Sequence, residues 1–233
     1  MIGKMFFFLF LSLWASLSGA ALVYRADSRA PSTIKSAGGF LSKGTSKAGA
    51  VAPDISLWNH VNGDPSSGFS RENDGYVSTT TDLALATSWV TRLLGGNGYV
   101  YQIQVAPNMI DCQEILKQYN PFPEEKEYAA LGGIPYNQIV GWSKVTNRKV
   151  GAVEKNKDYN KKLFKRSTHA TGQYQLAAFP PGHRAWSQSP WNAYAACTNP
   201  KIRAARALVG RATCRPKKSN ADYANEYAKT MYT

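Results

Sequence analysis

Alternation of apolar and polar positions begins at Leu22-Val23-Tyr24-Arg25-Ala26, which predicts a short strand with Val23 and Arg25 on one face and Leu22 and Tyr24 on the other. An arginine is thereby placed inside an otherwise apolar strand. Residues 31–70 are rich in Gly, Ser, Pro and Asp and predict loop with small helices, the clearest around Ile55 to His60. Gly75 to Thr81 has the β-branched and aromatic content of a strand, and it ends in hydroxyls. Asp82 can cap a helix from about 83 to 94 that buries a stripe of Ala86, Trp89, Val90, Leu93 and Leu94 and stops at Gly95-Gly96. A second strand, Tyr99 to Ala106, sets Tyr99, Tyr101, Ile103 and Val105 against Val100, Gln102 and Gln104.

A helix around Cys112 to Tyr119 then leads into the proline-bounded turn Asn120-Pro121-Phe122-Pro123, which delivers Glu124-Glu125-Lys126-Glu127. Tyr128 to Leu131, Gly132-Gly133-Ile134-Pro135 and Gln138 to Val145 predict strand, turn and strand. Residues 146–175 are basic, polar and mostly irregular, and Phe179 to Trp191 is a loop pinned by prolines and tryptophans. Tyr223, Tyr227 and Met231 recur at every fourth position of a short helix from Asn220 to Tyr232. There is no internal repeat and no second region with its own core.

Composition adds a compartment. The first 20 residues supply Lys4, an apolar run from Met5 to Leu17 and the small residues Ser18, Gly19 and Ala20, the layout of a secretory signal cleaved near Ala20. The run is shorter than the roughly 18 residues a membrane span needs. An exported chain can form disulfides, and of Cys112, Cys197 and Cys214 the last two flank a basic loop and are the expected bridge. Cys112 is then a buried thiol, with an intermolecular bridge as the alternative. The net charge of +13 suggests nucleic acid at first. Its basic residues concentrate between Lys144 and Lys218 without interleaved stacking aromatics, so a solvated basic face is expected and no nucleic acid.

Glu125 and Glu127 are two apart, so in an extended segment both carboxylates project from one face. Cleavage of an N-glycosidic bond develops oxocarbenium character, which one carboxylate can stabilise while a second handles a proton. Alone, the pair equally describes a solvated acidic turn. Its company sharpens the reading: an arginine in a strand, whose planar fork suits a pyrophosphate, and Ser78 at a strand end, able to hold a carboxylate rotamer.

In that order the segments resemble the catalytic subunits of the cholera toxin and heat-labile enterotoxin family. The matching stretches are Leu22 to Arg29, Asp74-Gly75-Tyr76-Val77-Ser78-Thr79, Ala106-Pro107-Asn108-Met109, Glu127 through Tyr136, Gln138-Ile139 with Gly141-Trp142, and Phe179-Pro180-Pro181 with His183-Arg184-Ala185-Trp186. The resemblance implies an α+β ADP-ribosyltransferase fold: a split antiparallel β-sandwich core with surrounding helices, long loops and a short C-terminal helix. It implies NAD as substrate, no metal, and transfer of ADP-ribose to arginine of a host protein, the suggested acceptor being a G-protein α subunit. Carried over by position, Arg25 binds NAD phosphates and Ser78 buttresses the glutamate. Glu127 engages the ribose and favours the oxocarbenium state, and Glu125 orients or deprotonates the incoming guanidinium. His60, in Leu57-Trp58-Asn59-His60, either contacts NAD or makes a structural hydrogen bond.

The expected organisation is a signal peptide over 1–20, a catalytic domain over 21–196, a disulfide-bounded activation loop over 197–214 and a tail over 215–233. Lys201, Arg203, Arg206 and Arg211 make that loop a candidate for trypsin-like nicking, and the catalytic fragment is expected to act inside a target cell. The tail is shorter than the family's and ends without a retrieval signal, which argues against a receptor-binding B pentamer. Thr80 stands where the family's serine motif has a further serine. Lys126, between the two glutamates, is expected either to lower their pKa values or to attract an acidic target. Two other functions fit the same residues less fully: NAD glycohydrolysis with water as acceptor, and an inactive scaffold that binds anions.

Overall fold

A computed structural model describes residues 22–46, 52–164, 168–198 and 213–231. The expected signal peptide and the four basic residues of the expected activation loop lie outside the described residues.

The strands are β1 (Leu22–Asp27), β2 (Gly39–Leu41), β3 (Tyr76–Thr80), β4 (Gly98–Gln104), β5 (Met109–Asp111), β6 (Glu127–Leu131), β7 (Gly133–Pro135), β8 (Ile139–Thr146), β9 (Lys149–Lys155), β10 (Ala195–Thr198) and β11 (Thr213–Pro216). The helices are α1 (Pro31–Ser36), α2 (Lys43–Ser46), α3 (Leu57–Asn62), α4 (Leu83–Leu93), α5 (Cys112–Leu116), α6 (Lys161–Phe164) and α7 (Asn220–Thr230). Seven strands form one antiparallel sheet in the order β5-β6-β3-β1-β4-β8-β9, and the pairs β2-β7 and β10-β11 stand apart.

The large sheet is nearly two sheets. β1 pairs with β4 along its whole length, from Leu22 opposite Gln104 to Asp27 opposite Tyr99, but meets β3 only where Tyr24 faces Thr80. Past that point β1 and β3 splay, and polar backbone groups that a ladder would have satisfied need other partners. Arg25 supplies one: its Nη1 donates to the carbonyl oxygen of Ser78 at 2.8 Å. The split predicted for the sandwich is this seam.

Apolar residues gather in separate clusters about the seam. Val23, Phe40, Tyr101, Ile103 and Ile139 form one, while Leu57, Tyr76, Cys112, Ile115, Trp186 and Trp191 belong to another that also receives Tyr223 and Tyr227 of α7. Asp82 caps α4 by accepting from the amides of Ala84 and Leu85. Only Ala86 and Val90 of the expected α4 stripe are fully buried, where the helix packs on β1 and β4, and Leu93 is 73% exposed. Cys197 and Cys214 are directly opposite on β10 and β11 and form the bridge.

Two segments differ from their sequence patterns. The stretch expected to be irregular after 146 contains β9, an edge strand exposed at every position, so no buried face imposed an alternation. The helix expected over 112–119 stops at Leu116, and Lys117 takes a positive φ of 51° before a 3-10 turn finishes the segment at Tyr119.

Candidate active site

Glu127 opens β6, opposite Thr80 on β3, with Ser78 two residues further along the same face of β3. This register sets a carboxylate and a hydroxyl side by side at the seam. His60 comes from α3, where Ser56 caps the helix through the amide of Asn59 and the ring projects inward toward the sheet. Its Nε2 lies 3.0 Å from Glu127 Oε1 and its Nδ1 lies 2.8 Å from Asp74 Oδ2. Ser78 Oγ is 3.3 Å from the same Nε2. All three members of the Asp74–His60–Glu127 chain are at most 8% exposed.

An imidazole flanked by two buried carboxylates must donate from both nitrogens to satisfy both, which requires the charged ring. Burial opposes that charge, but the Glu127 carboxylate and the hydrogen bonds to Asp74 and Glu127 overcome it, and the His60 pKa is pushed up to about 10. Burial likewise works against ionising Glu127, yet the His60 charge and hydrogen bonds from His60, Ser78 and Cys112 hold its carboxyl below the usual range. Asp74 is kept low against its burial by His60, the Ser70 hydroxyl and the Tyr76 amide. His60 thus bridges Asp74 and Glu127, and its charge and hydrogen bond favour the ionised form of Glu127.

The acid pair is close, but not for the reason its spacing suggested. Glu125 ends a 3-10 turn over Pro123–Glu125, and Lys126 is left-handed, with φ 47° and ψ 44°. The two carboxylates therefore do not share a strand face: Glu125 lies in the turn and Glu127 begins β6. Glu125 is half-buried, and its pKa is raised by burial and then by the neighbouring charges of Glu127 and Glu124. Lys126 does not sit between them either. Its Nζ pairs with Asp82 at 2.9 Å, 58% exposed, away from both glutamates' hydrogen bonds.

Arg25 lies over the Phe40 ring, 5.2 Å from its centroid, and 3.6 Å from Asp27, whose carboxylate is shared with Arg29. Its Nε is a buried donor at the seam without a hydrogen-bond partner. Arg25, His60, Ser78, Glu125 and Glu127 are thus gathered around one seam of the sheet, His60 and Ser78 on the first carboxylate and Arg25 on the backbone beside it. Asp74 and Cys112 join the group and were not among the expected site residues. For Asp74 the signal was a lone acid directly before the Gly75 strand; for Cys112 there was none beyond its odd number. Asp111, Glu114 and His169 bring potential metal-ligand atoms within 4.8 Å of one another, but Asp111 already caps α5 and Glu114 Oε1 accepts from the Gly172 amide.

Comparison with known proteins places this geometry among relatives. A family described as "Heat-labile enterotoxin alpha chain" matches residues 3–231. One subunit of the cholera enterotoxin of Vibrio cholerae is 40% identical over 192 residues, 79% of this chain and 74% of its own length. The "NAD(+)--arginine ADP-ribosyltransferase Chelt" of Vibrio cholerae is 41% identical over 181 residues, which are 72% of this chain and 29% of that protein. The crystal structure of an Escherichia coli heat-labile enterotoxin with a buried valine replaced by lysine superimposes with a TM-score of 0.66 at 38% identity, covering 73% of this chain and 96% of the other.

Proposed function

We propose, because the chain belongs to the heat-labile enterotoxin alpha-chain family, that it is the catalytic subunit of an ADP-ribosylating toxin, which cleaves NAD and transfers ADP-ribose to a protein arginine. The observation that carries the reading is Glu127, an ionised carboxylate held by His60, Ser78 and Cys112 at the sheet seam, beside a second carboxylate with the opposite shift.

Each residue then has a task that follows from its surroundings. Arg25, anchored by Asp27 and the Ser78 carbonyl, offers its guanidinium to the NAD pyrophosphate. Glu127 accepts from a hydroxyl of the nicotinamide ribose and stabilises positive charge as the bond from C1″ to nicotinamide breaks. Nicotinamide leaves with the bonding electron pair as a neutral molecule. A guanidinium nitrogen of the acceptor attacks C1″, and Glu125 takes the proton it sheds; a raised pKa makes Glu125 the better base. Two carboxylates are needed because an arginine is charged throughout the physiological range and its nitrogens are poor nucleophiles until a proton is removed.

The acceptor, proposed to be the α subunit of a G protein, is a host protein reached after export. No helix among the described residues is long and apolar enough to cross a membrane. Incubation with labelled NAD and agmatine tests the reaction: ADP-ribosyl-agmatine is the expected product. Free ADP-ribose alone would reassign the acceptor to water, and unconsumed NAD would overturn the proposal.

A further inference from the structure

The chain has three cysteines, and with Cys197 bonded to Cys214 the remaining thiol is Cys112, at the first turn of α5 and without solvent exposure. It is out of reach of oxidants and of partner thiols, and it packs in the apolar cluster of Leu57, Tyr76 and Ile115. Its Sγ lies 3.5 Å from Glu127 Oε2, the oxygen that His60 does not hold. An ionised carboxylate offers about four lone-pair sites. His60 on Oε1 and Cys112 on Oε2 approach it from α3 and α5, one on each oxygen.

We propose that Cys112 is a positioning residue for Glu127: its S–H donates to Oε2 and, opposed to His60 on Oε1, fixes the plane of the carboxylate. The inference rests on the transferase reading, since it assigns no chemistry to the sulfur itself. Burial and the adjacent carboxylate push the thiol pKa well up, so the sulfur keeps the proton it must donate at every pH the enzyme meets. The donor belongs to a different element from His60, so rotation of the carboxylate about its last bond, which His60 alone permits, is blocked from the far side. A rotamer loosened by loss of that donor lowers kcat more than NAD binding, because the ribose contact tightens in the transition state.

The test uses Cys112→Ala and Cys112→Val, which bracket the sulfur in volume without a donor, and Cys112→Ser, which keeps a donor. Expected for Ala and Val is a loss of roughly five- to twentyfold in kcat for agmatine modification. NAD KM should stay nearly unchanged, and the acid limb of the kcat profile should move to higher pH as Glu127 loses a hydrogen bond. Serine should recover most of the kcat and return the acid limb. Wild-type kcat and acid limb in both Ala and Val, or losses that follow Tm across all three variants, would overturn the proposal. A readout independent of catalysis separates it from the functional reading. The unbridged thiol is the single S–H oscillator in the chain, so its infrared stretch should lie at the frequency of a hydrogen-bonded thiol and rise in Glu127→Gln. An unshifted band in that variant sinks the positioning contact even if the enzyme proves active; a wild type inert toward NAD but with the shifted band sinks only the transferase.

Discussion

Glu127 and Glu125 are two residues apart and chemically identical, yet their surroundings drive them in opposite directions. Glu127 starts a strand, is 8% exposed, and stays ionised because a charged imidazole and two further donors outweigh its burial. Glu125 ends an irregular turn partly open to water, gains no such donors, and is pushed up by burial and by its acidic neighbours. Divergent environments of this kind separate a fixed electrostatic stabiliser from a proton acceptor. Sequence proximity makes the pair, and the fold gives each carboxyl its own surroundings.

The largest test of that contrast is Glu127→Gln, which should lose about two to four decades of NAD turnover while remaining folded. Nicotinamide release measures it, and retained turnover breaks the assignment. It should also destabilise the fold, by about 1–3 kcal/mol, since the charged His60 loses its anionic partner. Glu125→Gln should lower transfer to agmatine by about two decades. It should spare hydrolysis of NAD by water and leave Tm unchanged or raised, because a carboxyl with a raised pKa is more costly to ionise in the folded state. Equal loss of transfer and hydrolysis would remove the distinction between the two acids.

Asp74→Asn reaches the same site from behind. His60, raised from 6.5 to about 10, contributes stability that is complete below its ordinary value and is lost as pH rises through about 10. Asp74 and Glu127 are lowered, so their contributions are present above the ordinary carboxylate range and are lost as pH falls through their folded values. Stability should therefore hold a plateau from above the ordinary carboxylate range to about 6.5 and fall from there to about 10. Removing the Asp74 charge should bring the alkaline edge down, with a loss of roughly tenfold in kcat as His60 loosens. Thermal melts across pH and NMR titration of His60 check both. An unmoved alkaline edge would show that His60 is held without Asp74. The smallest effect is expected from Lys126→Ala, which removes an exposed pair with Asp82 and should change kcat less than twofold, roughly the scale of a screened surface contact. A larger change would restore Lys126 to a role beside the glutamates.

Much of the fold was legible because one buried face imposes a period. The pattern around Val23 and Arg25, the hydroxyl-ended strand at Ser78 and the capped helix after Asp82 all appear where the alternation placed them. β9 was not, since a strand exposed along its length carries no alternation. Gathering the site residues was legible only through family resemblance: nothing in the spacing of Arg25, His60, Ser78 and Glu127 states that β1 and β3 will splay. The extended geometry expected for Glu125-Lys126-Glu127 failed because a left-handed backbone at a lysine has no reliable sequence signal, unlike one at glycine.

The sequence by itself determined the element types wherever one face is buried, the presence of an acid pair after a proline turn, the cysteines able to bridge and an arginine set within a strand, because these depend on local periodicity and residue chemistry. Tertiary structure decided which acid is caged and which is free, that His60 is charged, that Lys126 faces Asp82 and that Cys112 meets Glu127. Those outcomes depend on burial and on contacts between residues as many as 67 positions apart, set by register between strands and helices that no local window contains.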